Sequence, residues 1–324
     1  MKILAATHSS FPRIGEEPRD QRLRRAYADL EKNKITDSQF RQVENELVDE
    51  VISIQKDSEL DIITDGLIRR YDPVSYLARN FSGFEINGLL RFFDTNFYYR
   101  QPIAGKTIAG GNGHLAEEIG YLSKISDKPT KAVLMGPYSF AKMSLNSSGM
   151  PFDRFALKIA ELMNAEIEKL AKAGAKYIQI EEPYFVREPQ DMALFKECIT
   201  KSCTGISNVN TILAFYFGDC SKIYNHLSDL PVNTVGFDFT YSPSLLEKLV
   251  ADGFSKPIAF GVIDGRNTRV ESAEAIAKIM EKPIKKIGFD NCHITSSCGL
   301  EYLPRQYAIK KLNVISRVAK LLNG

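Results

Sequence analysis

The chain has 324 residues, of which 44% are hydrophobic and 25% are charged, and this is enough apolar material for a large globular core. Its 42 Lys and Arg residues nearly balance its 40 Asp and Glu residues, so the net charge does not indicate nucleic acid or a membrane surface as a partner. The five cysteines have no repeating spacing and imply no disulfide framework, and no signal-peptide core or run of about 18 apolar residues is present. We therefore expect a cytoplasmic protein.

Short runs rich in β-branched and apolar residues predict eight β-strands. In chain order they are Lys2–Ala6, Leu60–Thr64, Lys131–Met135, Tyr177–Ile180, Thr211–Phe217, Thr234–Phe237, Ile258–Val262 and a strand within Lys286–Ile294. Longer amphipathic stretches between them, such as Ser38–Lys56 and Phe152–Ala173, predict helices. Alternating strands and helices predict a parallel sheet, and eight units suggest one α/β domain over residues 1–324, a (β/α)8 barrel. A doubly wound open sheet is the alternative, but its glycine-rich phosphate signature is missing.

The longest insertion follows the second predicted strand, at about residues 82–113, and is rich in aromatic side chains. They are Phe84, Phe92, Phe93, Phe97, Tyr98 and Tyr99. The segment predicts a β-hairpin or a lid over the barrel mouth. Its aromatic rings could stack a flat ligand, although aromatic residues serve chiefly as packing material.

Polar and ionisable residues follow most of the predicted strands. They include His8, Ser10 and Arg13, then Asp65, Glu181, Glu182, Asp219, Cys220, Asp238, Arg266, Asn267 and Cys298. Active sites of (β/α)8 barrels form at the carboxyl ends of the strands. Because loops are polar by default, the convergence favours a functional site for the set as a whole more than for any single residue.

Six motifs point to a known family. In order they are SSFPRIG (residues 9–15), FFDTNFYYRQP (92–102), YIQIEEP (177–183), FYFGD (215–219), GVIDGRN (261–267) and TSSCGLEYLP (295–304). Together they resemble segments of the cobalamin-independent methionine synthase family across nearly the whole chain. The resemblance implies a methyltransferase that passes a methyl group from a methyl-tetrahydropterin, such as methyl-tetrahydrofolate, to homocysteine.

The resemblance also implies a metal site. The family's catalytic barrel holds zinc on His, Cys, Glu and Cys, and the metal keeps the homocysteine sulfur deprotonated yet nucleophilic. Cys298 matches the last cysteine, and Asp238 occupies the place of the glutamate. The His-x-Cys pair should fall near Ala214–Cys220, where no histidine is present and Cys220 is the remaining thiol. The expected metal set is therefore Cys298, Asp238 and Cys220, in degenerate form.

Two further positions indicate which of the two barrels of the family's enzymes the chain resembles. The family's substrate-binding glutamate is Leu67 here, whereas the carboxylate of its "IQIDEP" motif is retained as Glu181. The pattern resembles the family's N-terminal barrel, which helps bind the methyl donor. It implies that the chain acts with a separately encoded catalytic barrel as its partner.

Roles can be assigned within this interpretation. The leaving N5 of the pterin needs an acid, for which the catalytic candidates are Asp238, Glu181 and Asp219. The candidates for substrate binding are His8, Ser10, Arg13, Asp65, Glu181, Tyr216, Arg266 and Asn267. Arg13 and Arg266 lie in family motifs, and a planar guanidinium suits carboxylates.

Two other functions remain open at this point. One is a non-catalytic barrel that binds the donor or serves as a scaffold for a catalytic homologue. The other is a barrel of the corrinoid-dependent methyltransferase type. Resemblance at the level of the fold does not choose between them.

Overall fold

The computed structural model describes residues 2–324, which form ten β-strands and ten α-helices. The strands are β1 (Ile3–Ala5), β2 (Phe81–Arg91), β3 (Tyr98–Gly111), β4 (Lys131–Met135), β5 (Leu145–Asn146), β6 (Tyr177–Glu181), β7 (Asn210–Ala214), β8 (Thr234–Asp238), β9 (Ile258–Ile263) and β10 (Cys292–Ser296). The helices are α1 (Arg22–Glu31), α2 (Asp37–Asp57), α3 (Pro73–Ala78), α4 (His114–Ile125), α5 (Pro137–Met143), α6 (Phe152–Lys172), α7 (Met192–Cys203), α8 (Leu245–Asp252), α9 (Ala273–Ile287) and α10 (Arg305–Asn323). No helix among these residues is long and apolar enough to cross a membrane.

Seven of the strands form one curled parallel sheet, in the order β1-β10-β9-β8-β7-β6-β4. Seven of the predicted strands are therefore confirmed, with shifted ends. The fifth predicted strand, Thr211–Phe217, ends at Ala214 as β7. The last strand begins at Cys292, because Lys286 belongs to α9. The carboxyl ends of these strands meet at one rim of the sheet, which we call the mouth.

The predicted strand Leu60–Thr64 is not formed as a regular strand. Ile62 makes a single parallel bridge to Ala6, and Ile63 makes one to Thr130. The backbone of Thr64 is instead paired by a side chain of α2: Gln55 Nε2 donates to Thr64 O at 2.7 Å, and Thr64 N donates to Gln55 Oε1 at 3.1 Å. The parallel sheet therefore has seven regular strands, and the expected complete eight-stranded barrel is reduced to a curled sheet with this segment between its edges.

The core lies between the sheet and the helices that cover it. Helix α6 shows why these elements form: Phe155, Ile159, Met163 and Ile167 recur at helical spacing and are all buried. The helix ends next to Gly174, whose φ of +111° is a conformation that glycine adopts without strain.

The aromatic insertion forms an antiparallel pair, β2 with β3, to which β5 adds a short parallel strand. The connection between β2 and β3, residues 92–97, folds over the mouth and is called the lid turn below. Phe92 of this turn is buried, and its ring lies 6.3 Å from that of Phe217. Asp94 anchors the turn, because Arg187 Nη2 donates to its carboxylate at 2.6 Å and Arg266 Nη2 donates to its carbonyl oxygen at 2.9 Å.

Candidate active site

Glu181 is the last residue of β6 and faces the inside of the sheet at the mouth. Side chains alternate along a strand, so Glu181 shares its face with Gln179. Its carboxylate accepts hydrogen bonds from Gln179 Nε2 on Oε1 and from Tyr216 OH on Oε2, both at 2.9 Å. Burial raises the pKa of Glu181 above its ordinary value, and these hydrogen bonds oppose that rise.

His8 lies directly against Glu181, with Nδ1 3.5 Å from Oε1. The contact is not an ion pair, because burial and the neighbouring Lys131 hold the pKa of His8 well below its usual value. The neutral ring is also 3.1 Å from Ser9 Oγ and 3.4 Å from Gln179 Nε2. His8 therefore acts as a neutral hydrogen-bonding group beside the carboxylate.

Glu182 points to the other side of the strand, as alternation predicts, and is fully buried rather than solvated. Its carboxylate accepts from the backbone N–H groups of Tyr138 at 3.0 Å and Ser139 at 2.8 Å, and from Ser139 Oγ at 2.6 Å. These N–H groups belong to the first turn of α5, so the Glu182 carboxylate caps the N-terminus of that helix. Gly136 permits this approach, because a Cβ there would lie 2.2 Å from the Glu182 carboxylate.

A small cavity of about 20 Å³ adjoins Glu181, enough for about one water molecule. It is lined by charged, polar and aromatic side chains, among them Ser10, Arg70, Phe92, Glu181, Tyr216 and Glu301. Leu67 and Tyr302 also reach it. Leu67 thus occupies the mouth at the position where the family resemblance places a carboxylate.

Glu301 follows β10 in a short 3-10 turn and brings a second acid to the cavity. Burial raises the pKa of Glu301 to about 7, and the cation of Arg13 opposes the rise. A carboxyl group with this pKa can hold or release a proton near neutral pH. Of the expected binding residues, Ser10, Glu181 and Tyr216 line the cavity. His8 contacts Glu181, and Arg13 acts on Glu301 through its charge.

The other expected binding residues do not line this cavity. Asp65 is buried and holds a turn, since Oδ1 accepts from Leu67 N at 3.0 Å and Oδ2 lies 3.8 Å from Arg69 Nη1. Asn267 is exposed and caps its own loop by accepting from Arg269 N. Arg266 lies at the rim, where it donates to Tyr241 OH at 2.5 Å and to the lid turn.

Two of the expected catalytic acids are occupied elsewhere. Asp219 is exposed and accepts from Ser221 N and Oγ, which places it as the cap of a 3-10 turn. Asp238 is buried at the end of β8, where Oδ1 accepts from Thr240 and Tyr241 and Oδ2 accepts from Phe217 N at 3.3 Å. Both carboxylates therefore stabilise loops at the mouth.

The expected metal ligands do not form a metal site in this structure. Among residues 2–324 no group of three or more His, Cys, Asp or Glu side chains is placed to hold a metal ion. Cys298 Sγ donates to Gly299 O at 3.4 Å, and burial, helped by the charge of Asp238, raises the pKa values of Cys298 and Cys220 above those of ordinary thiols. A structural or catalytic zinc needs at least three donor atoms converging on one point, and the carboxylate of Asp238 already accepts several hydrogen bonds from its own loop and from Phe217. The residues present do not fit the metal.

Several residues of the mouth were missed in the sequence. Lys131 and Gln179 lie inside predicted strands, and both are buried on the inner face. A polar residue at every second position of an otherwise apolar strand could have indicated them. Glu301 belongs to the TSSCGLEYLP motif but lies beyond the strand end, and Arg70 stood in a group of arginines without a distinguishing pattern.

Comparisons with known proteins give the family. Residues 10–321 match the family model described as "Cobalamin-independent synthase, Catalytic domain". A protein named methionine synthase from Saccharolobus islandicus strain L.S.2.15 is 30% identical over 301 residues, covering 92% of this chain and 90% of the relative. The methionine synthase of Sulfolobus acidocaldarius is 28% identical over 303 residues, covering 92% and 88%.

Solved structures share the fold. A B12-independent methionine synthase from Shewanella sp. W3-18-1, in complex with selenomethionine, superimposes with a TM-score of 0.82 at 19% identity and covers 100% of this chain and 98% of its own. A putative vitamin-B12 independent methionine synthase from Listeria monocytogenes gives 0.77 at 17% identity, covering 98% and 97%. The matching family model is that of the catalytic domain, whereas the motifs resembled the N-terminal half. The chain belongs to the cobalamin-independent methionine synthase family and is a methyltransferase.

Proposed function

We propose that this chain is the donor-binding component of a methionine synthase that works with a separate catalytic barrel. Its mouth takes a methyl-tetrahydropterin, such as methyl-tetrahydrofolate or an analogue, and the methyl group passes from N5 to the thiol of homocysteine. In the transfer the N5–C bond breaks and the S–C bond forms. The proton that the thiol loses is balanced by one delivered to N5.

The observation that carries this proposal is the combination of groups around the cavity. Glu181 and Arg70 line it together with the rings of Phe92, Tyr216 and Tyr302. One edge of a pterin presents two neighbouring N–H donors and a carbonyl acceptor, which match a carboxylate and a guanidinium. Aromatic side chains offer surfaces for the flat ring.

Glu301 is the proposed acid for N5. It lines the same cavity as Glu181, and burial raises its pKa to about 7. At neutral pH it is protonated in a substantial fraction of molecules and can donate a proton to a leaving nitrogen. Asp238 and Asp219, the acids expected beside Glu181, are engaged in loop hydrogen bonds instead.

Thiol activation is assigned to the separate barrel because no group of three or more His, Cys, Asp or Glu side chains among residues 2–324 is placed to hold a metal ion. Cys298 and Cys220 are buried thiols with raised pKa values, and Leu67 replaces a carboxylate. The homocysteine sulfur must be deprotonated before it attacks.

We also propose that the sheet closes as a full eight-stranded barrel, with residues 60–64 as the remaining strand. Thr7 N donates to Ile62 O at 3.3 Å, and Lys131 N donates to Ile63 O at 2.8 Å, so the segment bonds to both edges. Slow exchange of the Ile62 and Ile63 amides with solvent would support closure. Rapid exchange of both would leave an open seam.

Calorimetry with 5-methyltetrahydrofolate tests the donor site. Glu181→Gln is expected to weaken binding about 10- to 100-fold, because a neutral amide replaces the charged acceptor of two hydrogen bonds. Glu197→Gln, an exposed change on α7, is the matched control and should bind as the wild type does. Binding of homocysteine with stoichiometric zinc, and no binding of the pterin, would overturn the assignment.

A scaffold barrel without a ligand is the second candidate, favoured by the small volume of the cavity in this structure. Turnover measured with the catalytic barrel present separates the two functions. A donor-binding subunit loses turnover on Glu181→Gln, whereas a scaffold keeps it, since its contribution is contact with the partner.

A further inference from the structure

Lys131 is a lysine buried inside the sheet with an unusual set of partners. It is the first residue of β4 and is only 2% exposed. Its Nζ donates to Thr7 O and to Gln179 Oε1, both at 2.7 Å. Within residues 2–324 no carboxylate oxygen lies within 4.0 Å of Nζ. Burial lowers the pKa of Lys131 to about 7, because no ion pair offsets the cost of burying its charge, so its place in the fold calls for a reason.

The Gln179 amide lies between Lys131 and Glu181. An ammonium group can only donate, so the amide oxygen of Gln179 must face Lys131. The amide nitrogen is then turned the other way, 2.9 Å from Glu181 Oε1 and 3.4 Å from His8 Nδ1. The lysine thus determines which end of the amide the carboxylate meets. If the Gln179 amide rotated by half a turn, its oxygen would face the carboxylate oxygen of Glu181.

We propose that Lys131 is a positioning residue of the mouth, which locks the Gln179 amide so that its N–H groups point at Glu181 and His8. Locked in this way, Glu181 keeps its remaining lone pairs available for the donors of a ligand. The proposal rests on the donor site described above and names the residue that prepares it. Lys131 itself does not line the cavity next to Glu181.

Other groups around Glu181 do not replace this effect. His8 is neutral, and Tyr216 donates one hydrogen bond. Glu301 and Tyr302 approach from the turn after β10, and the negative charge of Glu301 works against a second anion at Glu181. Burial lowers the pKa of Lys131 to about 7, and the charge of Glu181 opposes that fall. In its charged form Lys131 in turn lowers the pKa of Glu181. His293 faces Lys131 from β10 and is neutral at neutral pH.

The test is a pH titration of the Glu181 carboxyl group by carbon-13 NMR in the ligand-free full chain. Lys131→Met is expected to raise the pKa of Glu181 by about one unit or more. Gln179→Leu should raise it as well, and adding Lys131→Met to Gln179→Leu should raise it by less than Lys131→Met does alone, because only the direct effect of the lysine charge then remains. An additive double variant would overturn the proposal, because Lys131 would then act without the amide. Lys176→Met, an exposed lysine just before β6, is the control.

The second measurement is the affinity for 5-methyltetrahydrofolate near neutral pH. Lys131→Met is expected to lower this affinity about tenfold, and a higher pH should restore it. A raised pKa with no ligand bound by any variant would contradict the donor site and leave the positioning role standing. An unchanged pKa with normal binding would contradict the positioning role alone. Should Lys131→Met fail to fold, Gln179→Leu cuts the same link from the other side, and an unchanged pKa there would overturn the proposal.

Discussion

Glu118 of α4 is a buried carboxyl group with a polar neighbour on one oxygen only. Tyr76 OH donates to Oε1, while Oε2 has no hydrogen-bond partner among the described residues. Burial raises its pKa to about 7. The folded protein therefore holds this proton more tightly than the unfolded chain, so the stabilising contribution is complete below about pH 4.5 and is lost as the pH rises through 7.

Glu118→Gln should remove this dependence. We expect the variant to gain on the order of 1 to 3 kcal/mol in free energy of unfolding relative to wild type between about pH 5 and about pH 8. Urea denaturation at the two pH values measures it. Glu117→Gln, its exposed neighbour on the same helix, is the control. Equal pH dependence in wild type and Glu118→Gln would show that Glu118 ionises in the folded protein without cost.

At the level of single residues, a functional side chain could be predicted from the sequence when it lies at the end of a strand. Glu181 was predictable because it ends an apolar strand, and alternation correctly separated it from Glu182. Glu301 was not, because a turn of irregular backbone carries it back to the mouth. The hydrogen bonds that occupy Asp238 and Asp219 come from residues two or three positions ahead, and such loop caps look the same in sequence as catalytic carboxylates.

At the level of elements, the side-chain amide of Gln55 makes the two hydrogen bonds to Thr64 that a neighbouring strand would otherwise make. Gln55→Met should cost about 2 to 4 kcal/mol of stability, because it leaves a buried N–H and a buried C=O of Thr64 without partners. Thermal or urea unfolding measures this loss. Gln42→Met changes an exposed glutamine of the same helix and should stay within about 0.5 kcal/mol of wild type. A similar small change at Gln55 would show that Thr64 finds another partner.

The same contact lies at the end of the one predicted strand of the barrel that is not regular in the structure. Leu60–Thr64 has the composition of a strand, and its apolar residues are buried as in a strand. Ile62 and Ile63 bond to the edges of the sheet, but the backbone of Thr64 is paired by Gln55 from α2, a contact that no local pattern encodes. The other seven strands could be predicted because each is a short apolar run paired on both sides or at an edge, and burial alone selects such runs.

At the level of the whole molecule, the lid turn controls access to the mouth. The cavity beneath it holds about 20 Å³, far less than a pterin needs, so the turn must move to admit one. Arg187→Ala removes an ion pair to Asp94. It should raise the association rate of 5-methyltetrahydrofolate only about two- to fivefold, because an exposed ion pair contributes little energy. Stopped-flow fluorescence measures the rate.

Lys196→Ala is the matched control for this change. The side chains of Lys196 and Asp229 form an ion pair and are 29% and 70% exposed, similar to the 36% and 68% of Arg187 and Asp94. Asp229 lies in the loop before β8, at the other end of the sheet. It should leave the association rate unchanged. An equal acceleration in both variants would mean that general loosening, rather than the lid turn, limits entry.

The position of β1 also shapes how the chain folds. β1 pairs with β10, and Asn323 of α10 accepts from Ile3 N at 2.8 Å and donates to Ile3 O at 2.8 Å, a contact between residues 320 positions apart. During synthesis β1 is therefore made long before its partner strand β10 exists. Such long-range pairing slows folding, so refolding should wait on the arrival of α10 at β1, with Ile3 and Leu4 exposed to aggregation until then.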